Sequence, residues 1–312
     1  MAAQLDRTLV RAIRQAIPSL SNDFHKGQYG KIGIVGGSLE YTGAPYYAGI
    51  SALKTVRGVD LCHIFCTKEA AIPIKCYSPE LIVHPLLTQD TNAIMKINEV
   101  LPRLDALVLG PGLGREPFVL DLVKKVVESA KAMQLPMVLD GDALYLLSTD
   151  TSLIHGYVHT ILTPNIVEYG RLCVATGLME KLDIHKARLI PPAQLSQSLG
   201  NVTVLQKGKQ DSVSDGTTTL TNTIEGCPRR CGGQGDVLAG TVGSFLAWHQ
   251  CQSKLKNQVN EALINPLLVV ALGGSMLTRQ SAAMAFAEKK RSMTTPDLIQ
   301  HLGEAFIHLY EN

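Results

Sequence analysis

Cys231-Gly232-Gly233-Gln234-Gly235-Asp236-Val237-Leu238-Ala239-Gly240 is the stretch from which the rest of the chain is read. Its glycines, with Gln234 among them, leave backbone N–H groups uncovered; Asp236 follows at once, and an apolar helical run continues to about Trp248. Amides at a helix N-terminus point at an anion, and the positive end of the helix dipole favours its charge. Glycine suits such a loop because a side chain would block the approach and because these turns often need positive φ. A site that only bound phosphate would gain nothing from a neighbouring carboxylate. Asp236 makes chemical sense as the acceptor of a proton from a hydroxyl attacking that phosphate. The competing local reading is a glycine turn followed by an aspartate N-cap.

The loop lies late in a chain of 312 residues, 46% of them apolar, which is ample for a large core. No Pro/Ser-rich linker, charge block or internal repeat divides the sequence, so residues 1–312 read as one α/β domain with an N-terminal helix within 1–21. The net charge of +2 is spread along the chain, and no basic run argues for nucleic acid or an anionic membrane surface. The expected partners are small molecules. No apolar stretch reads as long enough to span a bilayer, and there is no secretory pattern, so the expected location is cytoplasmic. Arg7, Arg11 and Arg14 around Leu5, Leu9, Val10 and Ile13 resemble an amphipathic transit segment, but Asp6 and the scarcity of hydroxyl residues favour an ordinary helix ending before Pro18. A mitochondrial form is left open. Seven cysteines, an odd number in a large chain without a signal, read as reduced thiols. Cys62 and Cys66, like Cys227 and Cys231, are spaced as pairs without a second pair at zinc-site spacing.

From residue 31 onward, continuous apolar runs alternate with helical patterns, the signature of a parallel sheet covered on both faces. Strands are expected at 31–35, 61–65, 81–84, 106–109, 137–139 and 160–162. Helices are expected near 45–57, 91–100, 117–131, 142–148 and 166–175. The texture changes at about residue 201: strands at 202–206, 212–214 and 217–221, with Asp215-Gly216 as a hairpin turn, predict an antiparallel end to the sheet. Helices near 235–249, 259–285 and 296–310 follow.

In such sheets the chemistry lies in the loops after the carboxyl ends of the strands. Those loops hold Gly36-Gly37-Ser38, Gly110-Pro111-Gly112-Leu113-Gly114, Asp140-Gly141-Asp142 and Thr163-Pro164-Asn165-Ile166-Val167-Glu168. Neither glycine loop fits G-x-G-x-x-G, which argues against a hydride-transferring dinucleotide fold, and tight turning accounts for each on its own. Asn165 and Glu168 fit either the outer sphere of a hydrated Mg²⁺ or a capping box. Asp140 and Asp142 fit a Mg²⁺ site or the crevice wall, with Asp142 as a helix N-cap the commoner case. Lys207, in Lys207-Gly208-Lys209-Gln210-Asp211, could reach a nucleotide phosphate or belong to a polar turn. Arg229 and Arg230 stand where they could neutralise phosphate oxygens.

Asn165-x-x-Glu168, a late antiparallel hairpin and a glycine loop with Asp236 opening a helix resemble, in that order, the ribokinase-like superfamily. The resemblance narrows with His25-Lys26-Gly27, Gly36-Gly37-Ser38 with Tyr41-Thr42-Gly43-Ala44-Pro45, Tyr77-Ser78-Pro79-Glu80, Gly110-Pro111-Gly112-Leu113-Gly114, Thr163-Pro164-Asn165 and Cys231-Gly232-Gly233-Gln234-Gly235-Asp236. These resemble the ATP-dependent NAD(P)H-hydrate dehydratase family in its eukaryotic form, over roughly residues 22–310.

The resemblance implies repair of hydrated NADH or NADPH, in the S form at the 6-hydroxyl, with ATP and Mg²⁺ as cofactors. It also implies working alongside an epimerase of the hydrated nucleotide, and it is compatible with a homo-oligomer. It assigns Gly112, Asn165, Ile166, Val167, Glu168, Tyr169, Gly170, Arg171 and Asp236 to substrate binding. To ATP it assigns Lys207, Gly208, Lys209, Gln210 and Asp211, and then Cys227, Pro228, Arg229, Arg230, Cys231, Gly232, Gly233, Gln234 and Gly235. Asp236 is the implied catalytic carboxylate. Two departures stand out: residues 54–60 lack the usual small-residue Val-Gly-Ala run, and Gly170 stands where serine is frequent. A kinase of the same superfamily acting on a sugar or vitamin alcohol is the alternative enzyme, and a nucleotide-sensing protein without turnover the alternative of another class.

Overall fold

The computed structural model describes residues 7–19, 25, 27–55, 58–256 and 264–311. Several expectations fall outside these residues: 1–6 and 20–21 of the N-terminal helix, Lys26 of the first motif, Val56 and Arg57 at the end of the second helix, and 259–263 of the penultimate one. The elements run α1 (Arg7–Ala16), β1 (Lys31–Val35), α2 (Gly43–Lys54), β2 (Leu61–Phe65), α3 (Lys68–Tyr77), β3 (Leu81–His84), α4 (Ala93–Asn98) and β4 (Ala106–Leu109). There follow α5 (Pro117–Ala132), β5 (Met137–Leu139), α6 (Asp142–Thr149), β6 (Thr160–Leu162), α7 (Ile166–Ala175), α8 (Ile184–Ala187) and α9 (Pro192–Ser198). The chain closes with β7 (Thr203–Gln206), β8 (Asp211–Ser214), β9 (Thr219–Asn222), α10 (Gln234–Lys256), α11 (Pro266–Lys289), α12 (Thr295–Gln300) and α13 (Leu302–Phe306).

Among the described residues one nine-stranded sheet, ordered β3-β2-β1-β4-β5-β6-β7-β8-β9, takes its strands from residues 31–222. All pairings are parallel up to β6–β7, and β7–β8 and β8–β9 are antiparallel. The alternation of side chains along a strand divides the core in two. On β4, Ala106 and Val108 join the layer of α2, α10 and α11, while Leu107 and Leu109 join that of α5, α6 and α7. Helix α10 lies so close to α2 that a Cβ on Gly240 would sit 2.1 Å from the Ala48 carbonyl oxygen. Nothing larger than glycine fits there.

Three expectations are corrected, and one helix is added that the sequence pattern did not show. The hairpin between β8 and β9 has a four-residue connection rather than a two-residue Asp-Gly turn: Asp215 Oδ1 accepts from the Thr217 and Thr218 amides, and Gly216 takes φ +88°. The expected last helix is two, α12 and α13, separated at His301. Helix α3 escaped the pattern because Pro73 interrupts it; the Thr67 cap on the Ala70 amide and the burial of Ala70, Ala71 and Ile74 hold the helix nonetheless. Finally, the stretch from Pro266 to Ser292 is long and apolar enough to cross a membrane by length and composition, contrary to the sequence reading. It is instead the central core helix, 78% of its most apolar window being buried inside the fold.

Candidate active site

The carboxyl ends of β1, β4, β5, β6 and β7 open onto one crevice, and their loops are tied to one another. Gly112, at φ +60°, turns its carbonyl oxygen to the Gly37 amide at 3.1 Å and the Ser38 hydroxyl at 3.0 Å. Asp142 receives the Gly114 amide and the Arg115 guanidinium, each at 3.0 Å. The N-cap of α6 is Gly141, so Asp142 is the first helical residue and fastens the residue 110–114 loop instead of capping.

At the centre of the crevice stands Lys207. Its ammonium lies 2.7 Å from Asp140 Oδ1 and 3.9 Å from Glu168 Oε2. Asp140 is buried at the end of β5 and also accepts from the Thr163 hydroxyl at 2.8 Å. Burial opposes the Lys207 charge, but Asp140 and Glu168 outweigh it and hold the ammonium above its usual pKa. Glu168 is raised by desolvation, with Lys207 opposing the rise. Asn165 and Glu168 do form the capping box: Asn165 Oδ1 accepts from the Val167 and Glu168 amides, and Glu168 Oε2 accepts from the Asn165 amide at 2.7 Å. The box holds the Glu168 carboxylate beside Lys207, so capping does not withdraw it from the crevice.

Asp236 occupies the first turn of α10, facing the same charges. Desolvation pushes its pKa up to about 7; Asp140 and Glu168 add to the rise and Lys207 opposes it. A carboxylate balanced near neutrality can accept and return a proton at working pH. Just before it, Gly233 at φ +98° is gripped from both sides: a Cβ there would lie 2.7 Å from the Tyr47 ring and 2.9 Å from Thr295 Oγ1. Thr295 Oγ1 also donates to the Gly232 carbonyl. The amides ahead of α10 are thus held in a preset shape, the requirement for stabilising charge on a transferring phosphoryl group.

Beside this loop lies a cleft of about 880 Å³. It gathers Asn165 and Ile166 with Lys207, Gly208, Lys209, Asp211, Cys227, Arg230, Cys231, Gln234 and Gly235. Leu238, Thr278, Ala282 and Leu298 also line it, as do Arg188 and Arg279. Other expected site residues lie elsewhere. Tyr169 is wholly buried, its hydroxyl donating to the Ile190 carbonyl, and Gly170 packs under Leu182, so these two serve the core and not the crevice. Val167 faces solvent, and Arg171 lies one turn beyond Glu168, close enough to favour its charge. Gln210 is exposed. Pro228 and Arg229 line a separate hollow with Phe286 and Arg291, so only Arg230 of the arginine pair faces the cleft.

Arg279 was missed by the sequence reading. From α11 it donates to the carbonyls of Ile224, Gly208 and Lys209 and to Asp211 Oδ1 at 3.0 Å, while Ser275 donates to Asp211 Oδ2 at 2.8 Å. Asp211 is therefore a buried anchor that shapes the residue 207–211 loop. The available signal was a lone arginine in an otherwise apolar helix, where an unpaired charge would be costly.

Among the described residues no three Asp, Glu, His or Cys side chains group as a metal cage. Hydrated magnesium does not need one, since it keeps its waters and takes one or two carboxylates along with substrate phosphates. Asp140 and Glu168 are hard oxygen donors in the right place, with Asp140 Oδ2 turned toward Gly235 of the loop.

A family model described as NAD(P)H-hydrate dehydratase matches residues 32–303. The chain is 48% identical over 304 residues to the ATP-dependent (S)-NAD(P)H-hydrate dehydratase of Mus musculus, covering 97% of this chain and 85% of that one. In fold it is similar to a ribokinase-like superfamily protein from Enterococcus faecalis, with TM-score 0.76 at 18% identity, covering 97% and 95% of the two chains. It is also similar to the ADP/ATP-dependent NAD(P)H-hydrate dehydratase of Bacillus subtilis, co-crystallized with ATP/Mg²⁺, with TM-score 0.68 at 19% identity and coverage of 96% and 97%.

Proposed function

This chain belongs to the NAD(P)H-hydrate dehydratase family, and from that premise we propose that it converts the S form of hydrated NADH or NADPH back to the reduced nucleotide at the expense of ATP. The observation that carries the reading is Asp236, set at the N-terminus of α10 directly behind the glycine loop and poised near neutrality by its surroundings. Hydroxide is a poor leaving group, so dehydration needs the hydroxyl to be activated. Asp236 takes the proton of the 6-hydroxyl as that oxygen attacks the γ-phosphorus of ATP; the bond from γ-phosphorus to the bridging oxygen breaks, and ADP leaves. The amides of residues 232–235 hold the developing charge. The lone pair of the ring nitrogen then expels phosphate, and loss of a proton from the neighbouring carbon restores the double bond. The products are NAD(P)H, ADP and phosphate.

ATP lies in the 880 Å³ cleft in this reading, its base against Leu238, Thr278, Ala282 and Leu298 and its phosphates toward Gly235, Arg230 and Lys207. A magnesium ion, when bound, neutralises phosphate charge, and Asp140 and Glu168 are the carboxylates to hold its water shell. Lys207 keeps those carboxylates from repelling the nucleotide. Because only the S form is consumed, an epimerase acting on the R form is the natural companion.

The test is incubation of the purified protein with hydrated NADH, with and without ATP and Mg²⁺. The expected result is recovery of the NADH absorbance band only with ATP, matched by free phosphate. Accumulation of a stable phosphoester would identify a small-molecule kinase instead.

A further inference from the structure

One tyrosine, Tyr47, packs on the glycine loop with Tyr46 and Tyr77 behind it, and none of the three lines the ATP cleft. Tyr47, on α2, lays its ring against Gly233: the Cβ that glycine lacks would lie 2.7 and 2.9 Å from Tyr47 Cδ2 and Cε2. Tyr46 stands 5.6 Å from Tyr47 between ring centroids, and Tyr77 stands edge-on to Tyr46 at 5.2 Å. The Tyr77 hydroxyl is fixed by Thr42 Oγ1 at 2.8 Å. Tyr41 stands at another strand-end loop, where its carbonyl oxygen and Cβ crowd Gly112. Tyr41 and Tyr77 are 55% and 45% exposed, so apolar ring surface is open to solvent beside a charged centre.

Packing alone does not account for Tyr47. Its hydroxyl bonds to no protein group among the described residues. Burial raises the phenol pKa, with smaller contributions from Tyr46, Tyr77, Asp236 and Cys231; with its ring on Gly233, three residues before Asp236, the side chain stands beside the proposed base. A phenylalanine would have served to grip Gly233, and the hydroxyl is left open to meet a ligand.

We propose that Tyr47, backed by Tyr46 and Tyr77, is the surface on which the reduced pyridine ring of the substrate lies, with its hydroxyl donating to the polar edge of that ring. The inference deepens the function proposed above and rests on it for the identity of the ligand. The 6-hydroxyl has to reach Asp236 while ATP fills the cleft on the other side of the loop, which leaves the tyrosine side for the ring. The partly saturated ring presents C–H bonds and an apolar face, which a tyrosine face matches.

The test compares Tyr47→Leu, Tyr47→Phe and Tyr77→Ala with the wild type in three measurements: NADH affinity from the change in NADH fluorescence on binding, KM for hydrated NADH, and ATP affinity. Loss of ring contact in Tyr47→Leu is expected to weaken NADH and raise the KM for hydrated NADH by about 10-fold or more. ATP affinity should fall by less than NADH affinity does, since Tyr47 touches the glycine loop but lines no part of the ATP cleft. Tyr47→Phe isolates the hydroxyl and should fall between wild type and Tyr47→Leu; Tyr77→Ala, altering an exposed ring, should give a smaller loss in NADH alone. Equal weakening of ATP and NADH would show that Tyr47 only props up the glycine loop and would overturn the proposal, as would unchanged NADH affinity in all three variants. If NADH affinity depends on Tyr47 while the wild type turns over no hydrated NADH, the ring platform stands and the dehydratase reading falls.

Discussion

In the proposed reaction Asp236 owes its strength as a base to its surroundings and not to its chemical type. An ordinary aspartate has a pKa of about 3.9 and would be a feeble base; withdrawn from water beside Asp140 and Glu168, this one is pushed up to about 7. Two consequences follow with definite signs. As the base must be ionised to act, kcat/KM should rise through an acid limb near pH 7 and level off above it. The folded state binds this proton more tightly than the unfolded chain does, so the group favours folding at low pH and loses that contribution as pH rises from about 4 through 7. Asp236→Asn, permanently neutral, should lower turnover by about 10²–10⁴-fold. It should also raise Tm at pH 8, with the gain shrinking toward pH 5; thermal scans across pH check this, and a gain that grew on acidification would contradict it. The residue stood out in the sequence, where a carboxylate behind a bare glycine loop reads either as a helix cap or as a base. Its partners were less so: Asp140 and Lys207 lie 67 positions apart and meet only through the pairing of the sheet.

Elements were readable where pattern and packing agree. Strands β1 to β6 show as apolar runs because both faces are covered, and the capping box before α7 is written in Asn165 and Glu168. Helix α3 was lost to Pro73, and the β8–β9 turn was misjudged because Asp215 caps a longer loop with its own carboxylate. The residue 207–211 loop illustrates an element whose shape comes from elsewhere. Arg279 and Asp211, 14% and 7% exposed, hold it from α11. Breaking such a buried pair typically costs about 3–5 kcal/mol. Arg279→Ala should therefore lower Tm and weaken ATP, with the product and hydrated nucleotide less affected; calorimetry and ATP titration on the same sample read both. Unchanged ATP affinity would mean that the loop does not form part of the nucleotide site.

At the scale of the molecule, the sheet order brings five strand ends to one crevice, and the proposal sets ATP and the damaged nucleotide on opposite sides of the glycine loop. The order of motifs along the chain made that architecture readable, whereas the contacts across the crevice, Tyr47 on Gly233 and Arg279 on the residue 207–211 loop, join residues too distant in sequence for any local pattern to reveal. The central claim is that phosphate is a temporary leaving group on a cofactor and that Asp236 begins the exchange. The measurement that tests it most directly is a single turnover of hydrated NADH carrying a heavy-oxygen label in its 6-hydroxyl, with mass analysis of the products. The account predicts that the label appears in inorganic phosphate, one atom per NADH formed. Label released as water, with unlabelled phosphate, would show that ATP hydrolysis and dehydration are separate events and would contradict it.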